Sequence, residues 1–321
     1  MKDSFLRAVE ETERAPSDLA KLSRREFSLL VSTALASMRA EAAHKPKVLA
    51  VVAHPDDEYS FAATLYSIVR EIGGTVDQVG IYGEGGYRYS ILAEQIYGLN
   101  LSQEQVGRAN LPEIRKQESL AAGRILGIRQ HHFLDQKDPG YTLDVSGVDR
   151  VWDRASVRAT LDKLLDEERY GFVFVLLPSE DTHWHHKAAA ILTLEAAAVL
   201  PADRRPVVFG VEAASSREGV RRFRELAGFP VTRTGADVRE FRRPQPLGYH
   251  DALNYQIIAN WVIAAHKSQG LFQMDASRHD VERFWRFEVS GAGSEQAANK
   301  LFEQLGAATA TSLRQSARIG Q

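Results

Sequence analysis

Two short segments carry most of the side chains able to do chemistry. The first is His54-Pro55-Asp56-Asp57-Glu58. The second is Glu180-Asp181-Thr182-His183-Trp184-His185-His186. Each follows an apolar run of strand length, residues 47–53 (KVLAVVA) and 172–177 (FVFVLL). In a parallel sheet, groups just beyond the carboxyl ends of strands face a common crevice. If the two strands are neighbours, His54, Asp57 and His186 converge on one cation. Two imidazoles and a carboxylate suit zinc (Zn2+) with a position open for water. The same set holds ferrous iron (Fe2+), whereas magnesium prefers carboxylates and water. His183 and His186 are three residues apart at a helix start and share one side. The helix N-terminus disfavours imidazolium, which keeps His186 neutral, as a ligand must be. Asp56 and Asp57 are adjacent and point apart, so one ligates while the other faces water as a general base. Alone, His-Pro-Asp-Asp is also a plain turn with a helix-capping Asp. The second cluster, behind a second buried strand, favours the metal.

The elements that must position these groups are legible from periodicity. The 47–53 run reads as a buried parallel strand. A helix follows over 58–72, with Phe61, Leu65, Ile68 and Val69 on one face and Gly73-Gly74 as its stop. Strands are predicted over 75–82, 130–134, 172–177 and 206–211, and helices over 112–127, 151–169 and 185–200. Residues 83–110 show no clean period. After Val211 the pattern weakens to a helix over 254–269, a late strand over 282–290 and a last helix capped by Ser294. Strands alternating with helices mean an α/β fold with a mainly parallel sheet.

The chain has 321 residues and no cysteine, which excludes disulfides, thiolate metal sites and a Cys nucleophile. Its net charge of −2 lacks the basic excess of a nucleic-acid binder. Residues 1–43 read as an export signal: Ser23-Arg24-Arg25-Glu26-Phe27 is a twin-arginine pattern and Ala40-Glu41-Ala42 a small-residue cleavage site. Between them, twelve uncharged residues over 27–38 are too few for a stable membrane span, which takes about 20. The expected location is periplasmic. Residues 44–290 are read as one catalytic domain and 291–321 as a helical tail.

Several blocks together resemble the LmbE-like, or PIG-L, metal-dependent N-deacetylases. These are Ala53-His54-Pro55-Asp56-Asp57-Glu58, Arg115-Lys116-Gln117-Glu118 with Ile125-Leu126-Gly127-Ile128, Thr182-His183-Trp184-His185-His186-Lys187-Ala188, and His266-Lys267-Ser268-Gln269. The resemblance implies a Rossmann-like three-layer sandwich and hydrolysis of an N-acetyl group on an acetamido sugar or glycoconjugate. By motif position, His54, Asp57 and His186 bind zinc, Asp56 is the general base and His183 stabilises the oxyanion. The family's Pro-Asp between the two histidines is Trp184-His185 here, and Asp181 or Glu180 is expected to replace the missing carboxylate beside His183. Rival readings are a zinc amidase acting on a larger amide conjugate and a carbohydrate-binding relative without turnover.

Other candidates are weaker. Gly83-Glu84-Gly85-Gly86 lacks the dinucleotide fingerprint. Tyr82, Tyr87, Tyr89 and Tyr97 either stack on a sugar or pack a loop. Asp135 and Asp138 bracket a turn or reach substrate hydroxyls. Arg115 and Glu118 are a helical ion pair or site supports. His250, His266 and Lys267 line the pocket or are structural, and His44, His131, His132 and His279 are packing or surface residues.

Overall fold

The computed structural model describes residues 45–319 except 84–85, 139, 249–251, 270–272 and 275–277. The expected export signal, Glu84, Gly85, His44 and His250 lie outside the described residues.

Seven strands form one sheet: β1 (Lys47–Val52), β2 (Thr75–Tyr82), β3 (Gln130–Gln136), β4 (Phe172–Leu176), β5 (Val207–Ala214), β6 (Thr234–Arg242) and β7 (Val281–Phe287). Their order is β3-β2-β1-β4-β5-β7-β6. The first five run parallel, and β7 is antiparallel to β5 and β6. The main helices are α1 (Ala62–Tyr66), α2 (Glu104–Leu126), α3 (Arg154–Glu168), α4 (Trp184–Ala198), α5 (Gln256–Ala265) and α6 (Ser294–Ile319).

After Lys47, β1 is apolar because both its faces are covered. Val48, Ala50 and Val52 pack with Phe61, Leu65, Val262 and Leu301. Leu49, Val51 and Ala53 point the other way, to Leu161, Ile191 and Leu194. The sheet is therefore the middle of three layers. The chain winds outward through β2 and β3, then resumes with β4 on the opposite side of β1. That reversal places a crevice between the carboxyl ends of β1 and β4, whose register pairs Val48 with Phe172 and Ala50 with Phe174.

Sequence periodicity placed the start of one helix too late and missed one strand. α2 starts at Glu104 and runs through Pro112 rather than beginning there. β6 lies at the sheet edge, carries Asp237, Arg239, Glu240 and Arg242, and has an irregular register between Thr234 and Val238. Edge strands of this kind hide their alternation among charges. The helix expected over 254–269 ends at Ala265, where His266 turns inward.

At the amino ends of the strands a polar network joins four elements. Asp77 of β2 accepts from the Arg129 guanidinium through both oxygens and from Tyr170 Oη at 2.6 Å. Glu168 accepts from Lys47 Nζ at 2.7 Å and from Arg129 Nη2 at 2.8 Å. This clamp lies at the far end of the strands from the chemistry.

Candidate metal centre

The turn after β1 sets the orientation of both aspartates. Asp56 adopts φ 92°, in the left-handed region that a short Asp side chain tolerates. Asp57 is buried, and its Oδ2 accepts the backbone N–H groups of Ala53 and His54 at 2.8 and 2.7 Å. Its Oδ1 is left facing His186 Nε2 at 3.1 Å and His54 Nδ1 at 3.8 Å. His54 Nδ1 and His186 Nε2 are 2.9 Å apart. Ligand atoms of His54, Asp57 and His186 all lie within 4.8 Å of one another. His186 Nδ1 meets Thr182 Oγ1 at 2.8 Å. With the Nδ1 proton donated there, Nε2 presents its lone pair to the cluster. This donor set fits a divalent cation of the zinc or ferrous class.

The two aspartates are driven apart electrostatically. Burial opposes charge on Asp57, but His186 and His54 hold its carboxyl well below the usual carboxylate range. Burial, then the charges of Asp57 and Glu58, raise Asp56 well above it, with Arg115 pulling the other way. Asp56 lines the cavity beside the cluster.

His183 caps α4: its Nδ1 accepts the N–H of His185 at 3.1 Å. Burial, then the rings of His54 and His186, push its pKa down to about 3. A neutral ring with an accepting Nδ1 carries its proton on Nε2, so His183 is a neutral hydrogen-bond donor. No carboxylate partner is needed for that. The expected substitute is not there: Asp181 turns away to Arg221 at 3.0 Å. Glu180 is exposed and offers its backbone carbonyl to Lys187. His185 instead fills the position between the two histidines, fully buried and stacked on Trp152 at 5.3 Å and 14°. Trp184 is buried too, its backbone N–H on Thr142 O at 2.9 Å and its indole N–H on Gly140 O at 3.3 Å.

The later motifs support the turn from behind. Gln269 Nε2 donates to Pro55 O at 3.1 Å, and His266 Nε2 meets Glu58 Oε1 at 2.6 Å. Glu118 accepts from Ser268 N and Oγ at 2.9 and 2.7 Å, and from Tyr97 Oη at 2.7 Å. Arg115 Nε donates to Ser268 Oγ at 3.3 Å. Arg115 and Glu118 are thus supports of the site, and Tyr97 backs them. Lys267 faces outward. Asp135 pairs with Lys116 at 2.6 Å, whereas Asp138 lines the cavity. So do Tyr82, Tyr87, Tyr89 and Tyr141, in a space of about 890 Å3. Tyr141, set edge-on to His183 at 4.9 Å, and Thr182 had no role in the sequence reading. Neither residue type is a signal by itself.

Residues 49–197 match the PIG-L family, described as GlcNAc-PI de-N-acetylase. This segment is PIG-L-like. The fold of the chain is shared by two solved structures at low identity. The A40926 pseudoaglycone deacetylase Dbv21 aligns at 19% identity and a TM-score of 0.50, over 77% of this chain and 99% of that one. A deacetylase triple mutant from the teicoplanin biosynthetic pathway aligns at 18% identity and a TM-score of 0.51, over 75% and 97%. An N,N'-diacetylchitobiose deacetylase from Pyrococcus horikoshii aligns at 23% identity and a TM-score of 0.35, over 47% of this chain and 49% of that one. No curated protein matches the chain. The PIG-L-like segment contains both clusters of the centre, and the late His266–Gln269 support lies beyond it.

Proposed function

We propose that the protein is a zinc-dependent hydrolase that removes an N-acetyl group from an acetamido sugar or sugar conjugate. The observation that carries this reading is the convergence of His54, Asp57 and His186 in one cavity with Asp56 beside them. His54, Asp57 and His186 would hold the cation, which when bound polarises an amide carbonyl and makes water acidic enough for a carboxylate base. Asp56 takes a proton from the attacking water and returns it to the departing amine nitrogen, so that water and amide become acetate and amine. The Nε2–H of His183 donates to the amide oxygen as charge develops there, an interaction made mainly in the transition state. Tyr87, Tyr89 and Tyr141 offer ring faces to the substrate. A cavity of about 890 Å3 lies at the upper end of the range for drug-sized ligands, roughly 300–1,000 Å3, which favours a conjugate over a bare monosaccharide. The PIG-L match supports the reaction class.

Metal content of the purified full-length protein, with acetate release from a panel of N-acetylated sugars and glycoconjugates, tests this. Near one zinc per chain, and acetate release lost in Asp56→Ala, is the expected result. Bound zinc without acetate from any substrate would overturn the deacetylase reading, and iron in its place would reassign the metal.

We further propose that residues 44–290 act as the catalytic domain, with 291–321 as its tail, and that residues 1–43 direct twin-arginine export to the periplasm. Replacing Arg24 and Arg25 together by Lys is expected to leave the protein in the cytoplasm. Unchanged periplasmic recovery would refute export by that route. Among the described residues, no helix is long and apolar enough to cross a membrane.

A further inference from the structure

The His54 ring is engaged at both nitrogens. Nδ1 faces His186 Nε2 at 2.9 Å, while Nε2 faces His185 Nδ1 at 2.8 Å. On that second side, ligand atoms of His54, His183 and His185 also lie within 4.8 Å of one another. Asp138 Oδ1 stands 3.7 Å from His185 Nδ1. We propose that His54, His183, His185 and Asp138 form a second divalent-cation site, which shares the His54 ring with the first.

Three imidazoles and a carboxylate are a zinc-class donor set, as the first site's donors are. The two N···N spacings, 2.9 and 2.8 Å, match, so both sides of the ring need the same small opening to admit an ion. His185 is rigid: it is fully buried and stacked on Trp152, and its Nε2 has no partner among the described residues. Its Nδ1, which faces His54 Nε2 and Asp138 Oδ1, is the nitrogen presented to an ion. His183 and Asp138 line the cavity and give the ion a path in. The Asp138 carboxylate is fixed by the turn it starts, accepting Gly140 N–H at 2.9 Å.

Filling both sites makes His54 a bridging imidazolate: its remaining N–H bond breaks, the electron pair goes to the second cation and the proton to solvent. With the first site filled, the second ion therefore displaces that proton when it binds. It occupies a ring nitrogen of His183, so on the functional reading above it inhibits turnover. The site itself depends on that reading only through the shared ring.

The test is Co2+ titration of the metal-stripped full chain, read by its visible absorption and by metal content after equilibrium dialysis. Wild type, His185→Asn, Asp138→Asn and His186→Asn are compared. The expected result is two cobalt ions per wild-type chain and one in His185→Asn. Asp138→Asn keeps the turn-closing oxygen and weakens the second step by about ten- to a hundredfold. It serves if His185→Asn fails to fold. One ion in wild type, kept in His185→Asn and lost in His186→Asn, overturns the second site and leaves the first standing. One ion lost in His185→Asn but kept in His186→Asn supports the second site and overturns the first. No bound ion overturns both.

Discussion

Asp56 and Asp57 are the same residue type on consecutive positions, and the turn gives them opposite states. Asp57 is held ionised by His186, His54 and two backbone N–H groups, while burial and its acidic neighbours raise Asp56. A pair of carboxylates with diverging pKa values is the pattern of divided labour at a catalytic site. As the proposed base, Asp56 works only when ionised, so kcat/KM is expected to fall as pH drops through the Asp56 pKa. That acid limb is expected above pH 3.8, the ordinary value for this group. A pH–rate profile with no limb above that value would contradict the assignment. At His183 two tasks separate. His183→Asn keeps a good helix cap and loses the reach of the Nε2–H, so kcat is expected to fall about 10²–10³-fold with little change in Tm. His183→Ala is expected to lose about 1 kcal/mol of stability as well. The convergence of His54, Asp57 and His186 was legible in the sequence, because few other arrangements concentrate His and Asp after two buried strands. The capping bond of His183 was not, because Asp181 and Glu180 stood nearer in sequence than any visible alternative. Where their side chains point depends on Arg221 and on the exposed loop.

At the scale of elements, the clamp at the amino ends of the strands makes a pH-dependent contribution of its own. Burial would raise the Asp77 pKa, but hydrogen bonds from Arg129 and Tyr170 outweigh it and lower the value. A carboxyl lowered on folding stabilises at pH above its unfolded value, here near 3.8, and that stability is lost as pH falls through the lower folded value. Wild-type Tm is therefore expected to drop in acid more steeply than that of Asp77→Asn. Parallel acid profiles would show that the clamp contributes nothing. Glu282, buried on β7, accepts from Ala63 N and Thr64 N, both at 2.9 Å, at the start of α1, and pairs with buried Arg243 at 3.0 Å. It thereby anchors the helix behind the aspartate turn to the antiparallel half of the sheet. Glu282→Ala leaves Arg243 buried without its partner, and denaturant unfolding is expected to show a loss of about 3–5 kcal/mol. Strands β1 and β4 were legible because a strand covered on both faces is apolar at nearly every position, whereas β2 keeps Asp77 and Gln78 buried within its run. β6 was not, because an edge strand shows no such run, and Pro112 disguised the first turns of α2.

For the whole molecule, the alternation of strands and helices was enough to predict an α/β fold with a mainly parallel sheet, while the pairing of β1 with β4 that forms the crevice is set by the strand order. The way in which residues 234–287 close the sheet was not legible, because antiparallel return strands follow tertiary packing rather than a local period. His54 and His186 meet across 132 residues of chain. A cation held between them ties together two points that diffuse far apart in the unfolded chain, much as a long-loop covalent bridge does. Its concentration then becomes a thermostat for the fold: scans at rising free zinc are expected to move the melting temperature upward, and a chelator to move it down. Such a chain would report the metal supply of its compartment through its own survival, before any substrate arrives.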